Sequence, residues 1–219
     1  NRKQRLTDED TSAAGAYVAY PKKGLHDWIG SIDINSLYPS AIRALNMGNE
    51  TIVGQLRPTM TDNIIKTKMS KGSSFAMAWE GLFASVEYTK VMEQDKGTEI
   101  TIDWIDGSQG IKSAAEIYQM IFNSNQKWML SANGTIFRYD IEAVVPGLLK
   151  RWYAERKQLQ AKMREAKDEK DRAFWDKRQL VKKINLNSLY GAILNPGCRF
   201  FDKRIGQSTT LTGRTITKH

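Results

Sequence analysis

Asp33-Ile34-Asn35-Ser36-Leu37-Tyr38-Pro39-Ser40 is the stretch on which the reading of this chain turns. Upstream of it, Trp28-Ile29-Gly30-Ser31-Ile32 is apolar and strand-like, so Asp33 stands as a single carboxylate at a strand end. Downstream, the spacing of Leu37, Ile42 and Leu45 predicts a helix from Ser36 to about Met47. Pro39 falls in its first turn, where a missing N–H costs little, and Gly48 is placed to cap its end. A strand, a turn and a helix start therefore set an acidic side chain beside backbone N–H groups that have no partner within the helix.

The second informative stretch is Lys183-Ile184-Asn185-Leu186-Asn187-Ser188-Leu189-Tyr190-Gly191. Lys183, Asn187, Tyr190 and Gly191 fall at i, i+4, i+7 and i+8, one stripe of a helix. Asn187 lowers helix propensity, and Gly191 should weaken or end the helix. Lys, Asn and Gly on one stripe are poor core material, so that stripe is expected to face a ligand.

Composition sets bounds around these two stretches. With 219 residues the chain can bury a real core in one or two compact units, and 41% hydrophobic with 26% charged residues describes a folded protein. No apolar run reaches the roughly 20 residues of a membrane span, and the basic start Asn1-Arg2-Lys3-Gln4-Arg5 leads into polar residues rather than a signal-peptide core. A cytoplasmic setting without membrane contact is the expectation. One cysteine, Cys198, and two histidines, His26 and His219, cannot assemble a zinc site, so any metal must be held by oxygen. The net charge of +9 is concentrated: residues 150–183 hold 13 Lys or Arg against 6 Asp or Glu, and 184–204 hold 3 against 1. The remaining basic and acidic residues balance. Such a field attracts phosphate-bearing partners, although charge taken alone favours a solvated helix surface.

Along the chain, the first dozen residues read as a polar leader, Gly15-Ala16-Tyr17-Val18-Ala19-Tyr20 as a strand and Pro21-Lys22-Lys23-Gly24 as a turn. A loop is predicted over 58–73 and a helix over 83–92. Alternation of Ile100, Ile102 and Trp104 predicts a strand ending at Asp106-Gly107. Ser113 with Glu116 forms a capping box for a helix through Ile117, Met120 and Ile121, and Asn133-Gly134 joins two short strands as a hairpin. Pro146 opens a long helix with the stripe Leu148, Leu149, Trp152, Tyr153, Leu159 and Met163. The charged run at 167–171 is its hairpin tip, and a second helix carries Phe174, Trp175, Val181 and Ile184 back toward Tyr190.

These residues suit phosphoryl transfer, which asks mainly for divalent cations, cationic clamps and an aligned nucleophile. Asp33 and the Ile34 carbonyl offer hard oxygens to Mg²⁺, the N–H groups near Ser36 and Leu37 suit phosphate oxygens, and Arg156 and Lys183 can clamp a triphosphate. Structural readings stand beside these. Asp33 can be an N-cap, Arg156 can shield Trp152 one turn away, Lys183 can face solvent, and Tyr38 and Tyr190 can be core or rim aromatics.

Taken as a set, D-x-x-S-L-Y-P-S at 33–40 and K-x-x-x-N-S-L-Y-G at 183–191 resemble motifs A and B of family B DNA polymerases. Arg156-Lys157, ten residues past Pro146, resembles the arginine of the first fingers helix. Asn49-Glu50-Thr51-Ile52 and Arg199-Phe200-Phe201-Asp202 are most similar to replicative polymerases of large tailed bacteriophages. The resemblance covers about residues 15–60 and 128–212. It implies an α+β fold: a partial palm, antiparallel sheet with helices, plus an antiparallel two-helix fingers hairpin. It divides the chain into a leader at 1–14, a palm part with motif A at 15–57, an elaboration or insertion at 58–140, the fingers hairpin with motif B at 141–192 and a return to the palm at 193–219.

Residue by residue, the resemblance makes Asp33 a metal-binding carboxylate with the Ile34 carbonyl as accessory ligand, and Ser36 and Leu37 the triphosphate seat. Tyr38 would lie under the sugar and exclude a 2′-hydroxyl. Arg156 and Lys183 would hold the triphosphate, with Lys183 as proton donor to the leaving pyrophosphate. Asn187 would line the nucleotide pocket, and Tyr190, Gly191 and Arg199 would lie against DNA. Two Mg²⁺ ions, replaceable by Mn²⁺, are implied as cofactors, with primer-template DNA and dNTP as partners.

Departures from the family pattern sharpen this. Gln160 stands where many phage relatives have a second fingers lysine, and residues 73–125 exceed the expected spacing. No D-x-D hairpin of motif C occurs: Asp8-Glu9-Asp10 lies in the leader, and Asp103-Trp104-Ile105-Asp106 has the wrong spacing. The expectation is a palm and fingers portion, inactive alone and completed by a chain with motif C and thumb, with an exonuclease region as a further N-terminal partner. The competing expectation is a non-catalytic nucleic-acid-binding module that retains polymerase motifs.

Overall fold

The structure, a computed structural model, describes residues 18–58, 67, 69–72 and 96–218. Five strands, β1 (Ile52–Pro58), β2 (Glu99–Trp104), β3 (Gln109–Ser113), β4 (Trp128–Leu130) and β5 (Thr135–Arg138), form one antiparallel sheet in the order β3-β2-β1-β5-β4. Among the described residues it is accompanied by the helices α1 (Leu37–Ala44), α2 (Ala114–Phe122), α3 (Val144–Glu165), α4 (Glu169–Ile193) and α5 (Lys203–Lys218). The chain is thus α+β, as its sequence pattern implies.

Period-two alternation explains the sheet. Ile100 and Ile102 on β2 are fully buried and lie opposite Pro58 and Leu56 of β1. Gly107 and Gly134, at φ +86° and +82°, make the two tight returns that a β-carbon would strain. α2 lies against β3 and β4 and adds Ala114, Ile117 and Ile121 to a cluster with Leu56, Ile100, Ile102 and Ile136. Its start is the expected capping box, with the Ser113 N–H donating to Glu116 Oε2 at 2.8 Å and the Glu116 N–H to Ser113 Oγ at 3.4 Å. The Ser113 hydroxyl, donating to Glu116 Oε2 at 2.7 Å, and then the Ser113 N–H hold the Glu116 carboxyl below the usual carboxylate range.

A second cluster joins the helices to the start of the sheet. Ile42 of α1, Leu149 of α3, Leu186 and Ile193 of α4 and Ile205 of α5 meet Met47, Ile52 and Phe137, with Trp152, Tyr153 and Leu189 packed against them. α1 touches α3, α4 and α5, which makes it the hub of this half. The α3–α4 hairpin is antiparallel with its tip between Glu165 and Glu169, as the charged run predicts. Its outer aromatics are covered by cations: Lys162 lies over Trp175 at 4.8 Å and Arg178 over Phe174 at 4.7 Å.

Buried polar groups lock these halves together. Ser131 and Ser208 both donate to Asn133 Oδ1, at 2.6 and 2.8 Å, and Asn133 Nδ2 donates to the Arg204 carbonyl at 3.3 Å, so the β4–β5 turn is bonded to α5. Desolvated polar atoms without partners are costly, so this network specifies how α5 lies on the sheet.

Several expectations are corrected. Trp28–Ile32 is not a strand, and neither is Val18–Tyr20; residues 15–17 lie outside the described residues. A strand needs a partner ladder and a buried face, and the described strands pair only with one another, while Ile29 and Ile32 are exposed and Trp28 takes a left-handed φ of 59°. α1 ends at Ala44, and Asn46 (φ 50°), not Gly48, takes the left-handed position. Asn46 is held there by donating to the Arg138 and Ile141 carbonyls at 2.8 and 2.7 Å and accepting from the Ala143 N–H at 3.0 Å. Gly48 is needed for space instead, since a β-carbon there would stand 2.6 Å from that of Ala143. Gly191 does not end α4, which runs on to Ile193. Phe174, Val181 and Ile184 are about half exposed rather than packed between the helices. The 58–73 loop overlaps β1 at Pro58 and lies mostly outside the described residues, and the 83–92 helix lies wholly outside them.

Candidate functional site

Asp33 and Ile34 sit in an exposed, unpaired segment that leads straight into α1. Ser36 is the N-cap of α1 but adopts φ 53° and ψ 48°, and no side chain caps the helix; its hydroxyl donates instead to Asn35 Oδ1 at 3.2 Å. Asp33 is therefore not the N-cap that the structural reading allowed. No side chain caps the first amides of α1, and this start of the helix, the positive end of its dipole, follows Asp33 by four residues.

The two informative stretches meet through their tyrosines. Tyr38 on α1 and Tyr190 on α4 lie with ring centroids 4.7 Å apart at 44°. Burial raises the Tyr38 hydroxyl above its ordinary pKa. Burial, aided by the neighbouring Tyr38 and opposed by a hydrogen bond with the Thr210 side chain, pushes Tyr190 up to about 12. Both phenols are therefore neutral rim groups, not proton shuttles, near neutral pH.

From Tyr190 back along α4, Leu186 is buried while Lys183, Asn187 and Gly191 are exposed on the adjoining stripe. Those three residues stay out of the core, whereas Tyr190, the fourth member of the stripe, packs against Tyr38. Across the hairpin, Arg156 Nε donates to Gln179 Oε1 at 3.2 Å, one turn from Lys183, and Lys182 pairs with Glu155 at 2.5 Å. Arg156 is consequently held by Gln179, and Lys183 extends from a helix whose register against α3 is fixed. Arg199 is exposed in the turn between α4 and α5, away from the ring contact.

Oxygen ligands are only partly assembled. Among the described residues no three His, Cys, Asp or Glu side chains gather in a metal-holding group. Asp33 with the Ile34 carbonyl offers donors of the hard type that Mg²⁺ takes, and fits part of a coordination sphere. A cavity of about 700 Å³ bounded by Glu50, Lys127, Trp128, Arg138 and Asp140 shares no residue with this site. Within it, hydrogen bonding from Arg138 lowers Asp140 to about 2.

Two participants escape sequence reading: Gln179, which orients Arg156, and α5, whose Thr210 and Gly213 lie beneath the tyrosine pair. The signal for the latter is the small-residue series Gly206, Thr210 and Gly213, spaced four and three apart, which marks a helix face that neighbours approach closely.

A model of DNA polymerase family B matches residues 1–219, and the chain belongs to that family. Similar proteins include the DNA polymerase of Phaeocystis pouchetii virus, 25% identical over 94% of this chain and 18% of that protein. The DNA-directed DNA polymerase of Enterobacteria phage T4 is 29% identical over 93% of this chain and 22% of its own length. The DNA polymerase of Pyrococcus glycovorans is 25% identical over 93% of this chain and 18% of its own. The chain thus spans about a fifth of the length of these relatives.

Proposed function

We propose that these residues form the palm and fingers portion of a DNA-directed DNA polymerase, of the replicative type found in large tailed bacteriophages and working in the host cytoplasm. The observation that carries this reading is the Tyr38–Tyr190 contact, which joins two stretches some 150 residues apart and gives them one shared rim. The phage assignment draws on Asn49-Glu50-Thr51-Ile52 and Arg199-Phe200-Phe201-Asp202. The relatives' names fit the broader reading.

In this reading the triphosphate of an incoming dNTP lies on the uncapped start of α1, at Ser36 and Leu37. Arg156 and Lys183 neutralise its charge, and Lys183 gives a proton to the leaving pyrophosphate oxygen. Tyr38 underlies the sugar, Asn187 lines the base side of the pocket, and Tyr190, Gly191 and Arg199 meet primer-template DNA. Asp33 and the Ile34 carbonyl would hold Mg²⁺, or Mn²⁺ in its place; when bound, two such ions would stabilise the attacking and leaving oxygens. Among the described residues no group of metal-ligating carboxylates assembles around Asp33; in this reading a chain carrying motif C and the thumb supplies the second carboxylate, with an N-terminal exonuclease region as a further partner.

Nucleotide titration of the completed polymerase bearing Lys183→Ala tests this. A weakening of dNTP binding by about tenfold or more is the expected result, with DNA binding changed far less. If dNTP binding depends on neither Lys183 nor Arg156, a nucleic-acid-binding module stands in its place.

A further inference from the structure

Tyr38 is wedged between Tyr190 and the backbone of α5. A β-carbon built on Gly213 would stand 2.8 Å from Tyr38 Cε1, 3.1 Å from its Cδ1 and 3.4 Å from Leu37 Cδ2. The first distance is shorter than side chains tolerate, and the atom it meets belongs to a rigid ring rather than the loose end of a flexible chain. Backbone conformation does not explain this glycine: its φ is not in the left-handed region, and it lies inside a helix, where glycine is the poorest residue after proline. What position 213 requires is room for the tyrosine.

α5 also holds the ring that packs against Tyr38. Tyr190 lies 4.7 Å away and shares a hydrogen bond with Thr210, whose hydroxyl donates in turn to the Gly206 carbonyl at 3.1 Å. Thr210 and Gly213, three residues apart, stand on one face of the helix, Gly213 against the Tyr38 ring and Thr210 bonded to the Tyr190 that packs on it.

We propose that Gly213 is a positioning residue for nucleotide sugar recognition: its bare α-carbon lets the Tyr38 ring sink against α5, and that depth sets the space left for the sugar. The proposal rests on reading Tyr38 as the residue beneath the incoming sugar. Adding a methyl at 213 lifts the ring off α5. Tyr190 also packs on the ring, at 4.7 Å, so the displaced ring cannot settle freely and, on that reading, its shift is felt at the sugar. A positioning role of this kind acts on nucleotide binding and not on the chemical step.

Single-nucleotide incorporation by the complete polymerase, measured with dNTP and rNTP, tests it. Gly213→Ala should raise the KM for dNTP about tenfold with kcat within about twofold, and without loss of preference for dNTP over rNTP. In a Tyr38→Ala background the same change should move KM by less than about twofold, because the ring it would displace is gone. Thr210→Val, which removes the hydrogen bond that holds Tyr190 without adding bulk, should raise KM about threefold, again only when Tyr38 is present. This second variant decides the matter if Gly213→Ala alone does not fold. Unchanged KM in the variants, or equal shifts with and without Tyr38, would overturn the proposal. The reading beneath it fails separately, through an unchanged dNTP preference in Tyr38→Ala.

Discussion

The sheet with α2 and the helical half around α1 are built on different terms. In the sheet half Ile100, Ile102 and Ile117 are fully enclosed, although Ile111 and Phe122 at its margin are exposed, and both short turns and the α2 cap satisfy their own backbone groups. In the other half the inner side is as well packed, at Ile42, Leu149 and Leu186, but the outer side is not closed. Trp28, Ile29 and Ile32 lie in solvent, α1 starts without a side-chain cap, and Lys183, Asn187 and Gly191 face outward. Both inner sides carry stability. The helical half leaves donors, a carboxylate and cations unspent, which is what a binding site requires.

The largest predicted effect separates these halves. Ile102→Ala should destabilise the chain by about 2–5 kcal/mol, read from urea unfolding, because it empties a fully buried position on a central strand pair. Lys183→Ala should leave the unfolding midpoint nearly unchanged, within about 0.5 kcal/mol, since the side chain is exposed. A large loss of stability at Lys183 would break the comparison. Next in size, Asn133→Ala leaves the hydroxyls of Ser131 and Ser208 without their shared acceptor at the junction of the halves, and should cost about 1–3 kcal/mol in the same measurement.

A smaller effect is a matter of pH. Tyr190 titrates near 12 when folded, against about 10 when unfolded, so the folded state holds the proton more tightly. Its stabilising contribution is complete below about pH 10 and is lost as pH rises toward 12. Thermal melts over that range should show a steeper decline for the native chain than for Tyr190→Phe. Equal slopes would mean that the ring is not buried against Tyr38. Least of all, Glu155→Gln should cost less than about 1 kcal/mol, because the Lys182 pair across the hairpin is partly solvated.

How far the sequence disclosed this structure follows the same division. Period-two alternation at Ile100 and Ile102, the Ser113–Glu116 box and the Asn133-Gly134 return are local signals, and each appears where its residues predict. The segment Trp28–Ile32 carries an equally local strand signal, yet strand formation depends on a partner that alternation does not encode. Asn46 took the place expected for Gly48 because its amide finds three backbone partners near Arg138 and Ala143, contacts about 92 to 97 residues distant in sequence. At the candidate site, the exposed stripe of Lys183, Asn187 and Gly191 was legible from composition. The wedge of Tyr38 between Tyr190 and Gly213 was not, since it arises only when α1, α4 and α5 come together.

Asp33 is the residue on which the account depends most, and it is exposed in a segment that holds no part of either core. Nucleotide incorporation by the complete polymerase bearing Asp33→Asn, compared with its unfolding midpoint, is the most direct measurement. The account predicts a loss of incorporation of about a thousandfold or more with stability essentially unchanged. Incorporation within a few fold of the native rate would contradict it.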